Sequence, residues 1–201
     1  MTPSIVSLML IGACTLRSIA TSAYAQRPKS QEWTAESWMS DWMLGRKTTS
    51  RIVASFADPV YFTLVPIRWR PPQDQDGLPM IDVPIGFVTN LLDIPQAFWS
   101  LLRPSEEYAL LAILHSYMYW MQSLSRETTD ERFDLAMDDF RVEIGRRIQI
   151  SRAIRVVGEE SWKMNMALKA SGERRILRYW PDNPRITWIE WKKDNTVFRD
   201  N

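Results

Sequence analysis

The chain has 201 residues, 45% of them hydrophobic, which is enough to bury a sizeable core and argues for one domain with appendages. Its 25 basic residues nearly balance 24 acidic ones, so it lacks the excess of positive charge that is typical of nucleic-acid-binding proteins. The single cysteine, Cys14, excludes an internal disulfide framework. Ten tryptophans are an unusually high count, and we expect most of them to anchor the core or an interface.

Residues 1–25 have the layout of an export signal. An apolar segment from Ile5 to Leu16 precedes the small-residue cleavage site AYA, which ends just before Gln26. The sequence LIGAC also resembles a bacterial lipobox and makes Cys14 a candidate for lipidation. The apolar segment is too short to span a bilayer. We therefore expect export, to the periplasm or to a membrane-anchored position in the bacterial envelope. The alternatives are a retained N-terminal helix and an organellar presequence.

Residues 26–50 are predicted to form a Trp-rich amphipathic helix followed by a linker. Tryptophan and methionine recur at helical spacing up to a glycine stop, at Trp38, Met39, Trp42, Met43 and Gly45. Such a helix could lie at a membrane interface, where indole rings are favoured, or contact a protein partner. The alternative is that it packs its stripe onto its own domain. Trp38 and Trp42 are thus candidate interaction residues.

Residues 51–201 are expected to form a single globular domain that opens with a β-hairpin. The run DPVYFTLVPIRWRPP, residues 58–72, is rich in β-branched and aromatic residues and predicts one strand. MIDVPIGFVT, residues 80–89, predicts a second strand after the turn sequence QDQDGLP. The two strands should pair in antiparallel fashion.

Helical periodicity begins at Pro95 and continues through most of the remaining chain. A short helix is predicted over 95–102, and a long one from Pro104 to about Gln122 is apolar on nearly every side, which predicts a central position. Ser125 is the predicted N-cap of a third helix. Its inward stripe should comprise Thr129, Phe133, Ala136, Met137 and Phe140.

Two further helices are predicted, over 142–157 and 159–170. The first carries four arginines that are spread around the helix, at Arg146, Arg147, Arg152 and Arg155. We expect them to be solvated and to pair with the acidic preceding helix rather than to form a phosphate site. The sequences RRILRYW and RITWIEW, separated by PDNP, predict a closing hairpin. Its Trp188 and Trp191 are the second set of candidate interaction residues.

These elements together predict an α+β fold. A small antiparallel sheet, made from the first hairpin and the closing hairpin, should pack against a block of four to five helices.

Three segments, taken together, resemble a known family. They are VPIGFVTNLLDIPQAFW (83–99), YALLAILHSYMYW (108–120) and SRETTDERFDLAM (125–137). The order and spacing resemble domain of unknown function family 1353, a family of small bacterial and phage proteins, over about residues 58–162. The family pattern runs roughly V-P-x-G-F-x-T-D, then L-H-D-x-L-Y, then S-R-x-x-A-D.

The resemblance implies a polar cluster of unassigned chemistry. Three aspartates and a histidine of the family pattern fall here on Asn90, His115, Ser116 and Asp130, and Arg126 matches the family arginine. Two of the three expected carboxylates are therefore absent. Asparagine and serine keep hydrogen-bonding capacity but lose the charge that a base or a metal ligand needs.

His115 is the only histidine, and it lies in an apolar run. It cannot form a catalytic dyad with Ser116, because neighbouring helical side chains point about 100° apart. We expect a buried, neutral imidazole that is hydrogen-bonded to Asn90 or Asp130, with Arg126 completing the network. His115 and Asp130 supply two ligands where a catalytic zinc needs three, so no metal is expected. No cofactor motif is present either.

The resulting functional hypothesis is an exported, non-catalytic binding or structural module of the cell envelope, with a protein or a membrane surface as its partner. The first alternative is a peptidoglycan-type envelope hydrolase, in which His115 and Asp130 perform acid/base catalysis and Asn90 or Arg126 orients the substrate. The second alternative is a phage-derived structural component.

Overall fold

The computed structural model describes residues 52–71, 78–90 and 106–199. The predicted leader with Cys14, the Trp38 and Trp42 helix and the short helix over 95–102 all lie outside the described residues. Within them, the α+β class is confirmed, since five short strands form two antiparallel sheets beside four helices.

The strands form one sheet of three strands and one of two. Strands β1 (Val53–Ser55), β2 (Tyr61–Thr63) and β5 (Val88–Thr89) make the first sheet in the order β1-β2-β5, and β3 (Ile67–Trp69) pairs with β4 (Ile81–Val83) in the second. All pairs are antiparallel. The predicted pairing of the two segments is therefore confirmed.

Each predicted strand is nevertheless divided between the two sheets, so the prediction of one continuous strand over 58–72 is wrong. The divisions include Pro66 and Pro84, neither of which has an N–H to donate to a ladder. Thr63 holds the bend: its hydroxyl donates to the Pro84 carbonyl at 2.7 Å and accepts from the Phe87 N–H at 3.0 Å. Gly86 has a positive φ of 86° in this bend, a conformation that favours glycine.

The core is built around the long apolar helix, α1 (Glu106–Met121). It packs against the next two helices and against β4 and β5. Its most buried side chains include Leu111, Ile113, Leu114 and Tyr119. Each buried aliphatic side chain of this kind contributes about 1.5–3 kcal/mol relative to exposure, which explains why a helix with apolar residues on nearly every side takes the central position.

Helix α2 (Arg126–Asp139) begins where the sequence predicts. The Ser125 hydroxyl accepts a hydrogen bond from the Thr128 N–H at 3.2 Å, which satisfies one of the unpaired donors of the first turn. The predicted stripe is also confirmed, since Thr129, Phe133, Ala136 and Met137 are buried and Phe140 is partly buried.

Helix α3 (Ile144–Ala170) is one continuous helix of 27 residues, so the prediction of two helices is wrong. Gly158 lies within it and does not end it. Arginine pairing with the preceding helix is confirmed for Arg147, which forms ion pairs with Asp134 at 2.9 Å and with Asp138. Arg152 and Arg155 are exposed.

The predicted closing hairpin is also wrong. Its second segment contains a one-turn helix, α4 (Trp188–Trp191), because Thr187 and Glu190 form a capping box in which each side chain binds the other residue's backbone N–H. The first segment forms isolated bridges instead, between Ile176 and Phe87 and between Leu177 and Phe198. A short 3-10 helix, Asn195–Val197, follows α4.

Candidate functional site

His115 projects from α1 into the core and has 0% of its surface exposed. Its ring lies 4.1 Å from the Tyr119 ring and 4.5 Å from the Phe133 ring, measured between centroids. Burial lowers the pKa of His115 to about 3, because the charged form would lose its hydration. The imidazole is therefore buried and neutral at physiological pH, as the sequence predicts.

The expected hydrogen bond of His115 is not found. Neither ring nitrogen has a partner among the described residues, and the buried Ser116 hydroxyl also has none there. Asn90, which directly follows β5, interacts with other groups but is not hydrogen-bonded to the His115 ring. A general base must reach the proton it removes and must be oriented to do so. The described surroundings of His115 provide neither solvent access nor an orienting carboxylate.

Asp130 is held by two donors. The Tyr119 hydroxyl donates to Oδ1 at 2.6 Å, and Arg126 Nη1 donates to Oδ2 at 2.8 Å. Arg126 also donates through Nε to Glu159 on α3 at 3.1 Å. We call Tyr119, Arg126, Asp130 and Glu159 the interhelical clamp, since these contacts join α1, α2 and α3. The Arg126 and Asp130 pair was expected from its one-turn spacing.

The electrostatics of the interhelical clamp fit a structural role. Burial raises the pKa of Asp130, against the opposing effects of the Tyr119 hydrogen bond and the Arg126 charge. Burial also raises the pKa of Tyr119, and its hydrogen bond to Asp130 raises it further. For Arg126, burial is the largest single effect and acts to lower the pKa, but Asp130, Tyr119 and Glu127 together outweigh it and the net direction is upward. Tyr119 and Arg126 therefore remain donors at neutral pH.

Gly158 brings α3 into close contact with the interhelical clamp. A Cβ atom at this position would lie 2.5 Å from the Tyr119 hydroxyl oxygen and 3.5 Å from Ile154 Cγ2. The position therefore has no room for a side chain, which is why a glycine occupies the middle of a long helix despite its low helix propensity.

Sequence reasoning missed three members of this site. Tyr119 lies one turn after His115 on the same helix face, a spacing that signals a shared environment but not the bond to Asp130. Glu159 and Gly158 carry no such signal, because their roles depend on how α3 crosses α1 and α2.

The described residues contain no group of three histidine, cysteine, aspartate or glutamate side chains that could hold a metal ion. Among the same residues, no helix has both the length and the apolar composition needed to span a membrane.

The structure places Trp188 in the core and not on the exposed surface expected of a partner anchor. It is 7% exposed and contacts Phe56 and Phe198, with ring centroids 5.4 and 5.9 Å away. It belongs to a second buried cluster that comprises Phe56, Phe62, Val88, Leu177, Trp188, Val197 and Phe198. Trp191 is partly buried against this cluster.

A groove of about 930 Å³ runs between α2 and α3, and we call it the α2–α3 groove. Apolar side chains line part of it, among them Phe133, Ile148 and Ile154. Acidic residues of α2 and basic residues of α3 line the rest, including Glu127, Glu131, Arg152 and Arg155. The sequence shows the acidic and basic helices separately, but the groove forms where they pack side by side, with Leu78, from the segment before β4, also lining it.

Comparison with known proteins identifies one family. Residues 70–154 match the model of a family described as protein of unknown function (DUF1353). This match confirms the resemblance inferred from the three segments, over a narrower range than 58–162. No curated protein and no solved structure matches the chain.

Proposed function

We propose that this chain, whose residues 70–154 belong to the DUF1353 family, is an exported, non-catalytic binding or structural module of the bacterial cell envelope. The observation that carries the non-catalytic part is the interhelical clamp. Asp130, the one carboxylate left at the family's polar positions, accepts hydrogen bonds from Tyr119 and Arg126. A carboxylate whose two oxygens each accept from a donor stabilises the packing of three helices, and a substrate would have to compete with these donors to reach it.

The position of His115 supports the same proposal. An imidazole that is 0% exposed and has a pKa of about 3 is neutral at neutral pH, so it lacks the readily donated proton of the imidazolium form that a general acid uses. As a base it would have to accept a proton without any described group to stabilise the resulting charge. The hydrolase alternative requires His115 to perform at least one of these steps.

The envelope location rests on the sequence of residues 1–25, with a cleavage site before Gln26 or a lipid on Cys14. A binding or structural role there requires a partner, which we propose to be a protein. A membrane surface is the alternative for a lipidated form.

The mature N-terminus tests the location. After expression in a bacterial host, mass spectrometry of the purified protein should show a first residue of Gln26, or a lipid-modified Cys14. The Ala25→Arg variant should block the first form and Cys14→Ala the second, because signal peptidases require small residues and lipidation requires the thiol. A chain that begins at Met1 and remains in the cytoplasm would contradict the proposed location.

Incubation with purified peptidoglycan tests the absence of catalysis. We expect no release of soluble fragments above that from heat-denatured protein, measured by chromatography of the supernatant. The comparison includes the His115→Leu and Asp130→Asn variants. Fragment release by the wild type that disappears in both variants, while their folding is retained, would establish the hydrolase alternative instead.

A further inference from the structure

The α2–α3 groove has charged walls of opposite sign that are only partly neutralised from within. Its inner acidic groups are engaged, since Asp134 accepts from Arg147 at 2.9 Å and from Ser151 at 2.9 Å. Asp130 is engaged by the interhelical clamp. Glu131 on α2 and Arg152 on α3 are exposed, and neither forms an ion pair within the part of the chain that the structure describes.

One further residue on each wall adds charge of the same sign as Glu131 or Arg152. Glu127 is 71% exposed at its side chain and lies 3.6 Å from Arg126, a distance too long for a strong hydrogen bond. Arg155 is exposed on α3, where its charge lowers the pKa of Asp130. The α2 wall therefore presents negative charge, and the α3 wall presents positive charge.

Between these walls lies apolar surface. Ile148 is 45% exposed, whereas Phe133 and Ile154, which also line the groove, are almost fully buried. An exposed isoleucine beside buried apolar side chains offers a contact for an apolar side chain of a ligand. Grooves lined by apolar side chains are a recurring mode of peptide recognition.

The size and the charge of the groove decide the class of ligand. A volume of about 930 Å³ is near the upper end of the range of about 300–1,000 Å³ for pockets that hold whole drug-sized molecules, and exceeds what a single amino acid fills. A nucleic acid or an anionic membrane would complement the basic α3 wall only, since the acidic α2 wall would repel it. A peptide can present basic, apolar and acidic side chains in sequence, which is the arrangement that the walls and floor complement.

We infer that the α2–α3 groove binds a peptide segment of a partner protein, with basic side chains facing α2 and acidic side chains facing α3. This inference rests on the proposed function as a binding module and names the site and the chemistry of the partner. The apolar residues of the segment contact Ile148 and its neighbours. Opposite charges on the two walls fix the orientation of the segment in the groove.

The experiment uses a phage-displayed library of random dodecapeptides, selected on the purified full chain. Enriched sequences should combine basic, apolar and acidic residues. One such peptide is then synthesised with a fluorescent label, and its affinity is measured by fluorescence anisotropy at low and high salt. Arg152→Glu and Glu131→Lys should each weaken binding by about fivefold or more at low salt, and by less at high salt.

Matched controls make the same charge changes outside the groove. Arg185→Glu and Glu160→Lys alter exposed residues that do not line it, and both should leave the affinity unchanged. A peptide with its acidic residues changed to lysine should regain affinity for Arg152→Glu but not for Glu131→Lys, because only the first variant reverses the wall that those residues face. Melting curves confirm that each variant is folded.

Three outcomes would overturn the inference. They are a library without enrichment, peptide binding that the groove variants do not weaken, and equal losses in the groove and control variants. Binding to phosphatidylglycerol vesicles that Arg152→Glu abolishes, in the absence of peptide binding, would assign the groove to a membrane instead. These outcomes are separate from the N-terminal analysis, which tests the envelope location alone.

Discussion

Replacing His115 with leucine is expected to flatten the dependence of the free energy of unfolding on pH between about 6.5 and about 3. In the unfolded chain the imidazole takes up a proton near pH 6.5, whereas in the fold it does so only near pH 3. Its depressed pKa therefore contributes stability above pH 6.5, and this contribution is lost as the pH falls towards 3. The loss approaches about 1.4 kcal/mol per pH unit within that window.

Urea unfolding of the wild type and His115→Leu at several pH values measures the effect. The carboxylates titrate in both proteins, so the difference between the two curves isolates the histidine. His115→Ala provides the control for packing: it should be less stable than His115→Leu at every pH, by about 2–4 kcal/mol, because the shorter side chain leaves a cavity. Its pH profile should match that of the leucine variant. A leucine variant that retains the full wild-type slope would mean that His115 is protonated inside the fold.

The Gly158→Ala variant is expected to lower the free energy of unfolding by about 1–3 kcal/mol, the range for overpacking a filled core. At an open position in a helix the same change would raise stability by about 1 kcal/mol. Here the new Cβ would lie 2.5 Å from the Tyr119 hydroxyl oxygen. Moving the phenol away would cost free energy, because its hydroxyl is hydrogen-bonded to Asp130 and Trp162 packs edge-on to its ring at a centroid distance of 5.2 Å.

A double-mutant cycle with Tyr119→Phe tests the cause. Removing the hydroxyl leaves the ring carbon Cζ, 3.4 Å from the added Cβ, as the nearest Tyr119 atom, so the alanine should cost much less in the phenylalanine background. Tyr119→Phe alone should cost about 1.5–3 kcal/mol, because a hydrogen bond to a carboxylate is lost. Additive effects in the cycle would show that the strain lies elsewhere.

The positions of α1 and α2 follow from local signals in the sequence. Ser125 marks the start of α2 because its hydroxyl caps the helix, and the apolar spacing after it fixes the buried face. The continuity of α3 could not be predicted, since Gly158 is compatible both with a helix end and with a close contact. Only the position of Tyr119 on another helix distinguishes the two.

The strands were less predictable, because contacts between residues distant in the sequence decide where each strand ends. The segment 58–72 has the composition of one strand, and Pro66 is as acceptable at an edge as at a break. The division into two sheets depends on Thr63, which bonds across the bend to Pro84 and Phe87. The signal that was available and missed is the Thr187 and Glu190 capping box, whose spacing predicts a helix start where a strand was expected.

Some features of the candidate site could be predicted from local sequence, and others depend on how the helices pack. Arg126 and Asp130 pair because they lie one turn apart on one helix, a spacing of four residues that can be read from the sequence. The burial of His115 follows from its apolar neighbours. The absence of a described hydrogen-bond partner for His115, the bond from Tyr119 to Asp130 and the α2–α3 groove all depend on the packing of separate helices, which local patterns do not encode.

The backbone around β5 is hydrogen-bonded to residues outside the range 70–154 that matches the family model. The Val88 N–H donates to the Arg175 carbonyl at 2.8 Å, and the Leu177 N–H donates to the Gly86 carbonyl at 2.9 Å. A fragment trimmed to residues 70–154 would lack these partners as well as β1, β2 and β3. Its uncovered peptide groups and apolar side chains would favour self-association, so a shortened form of the protein must retain both flanks.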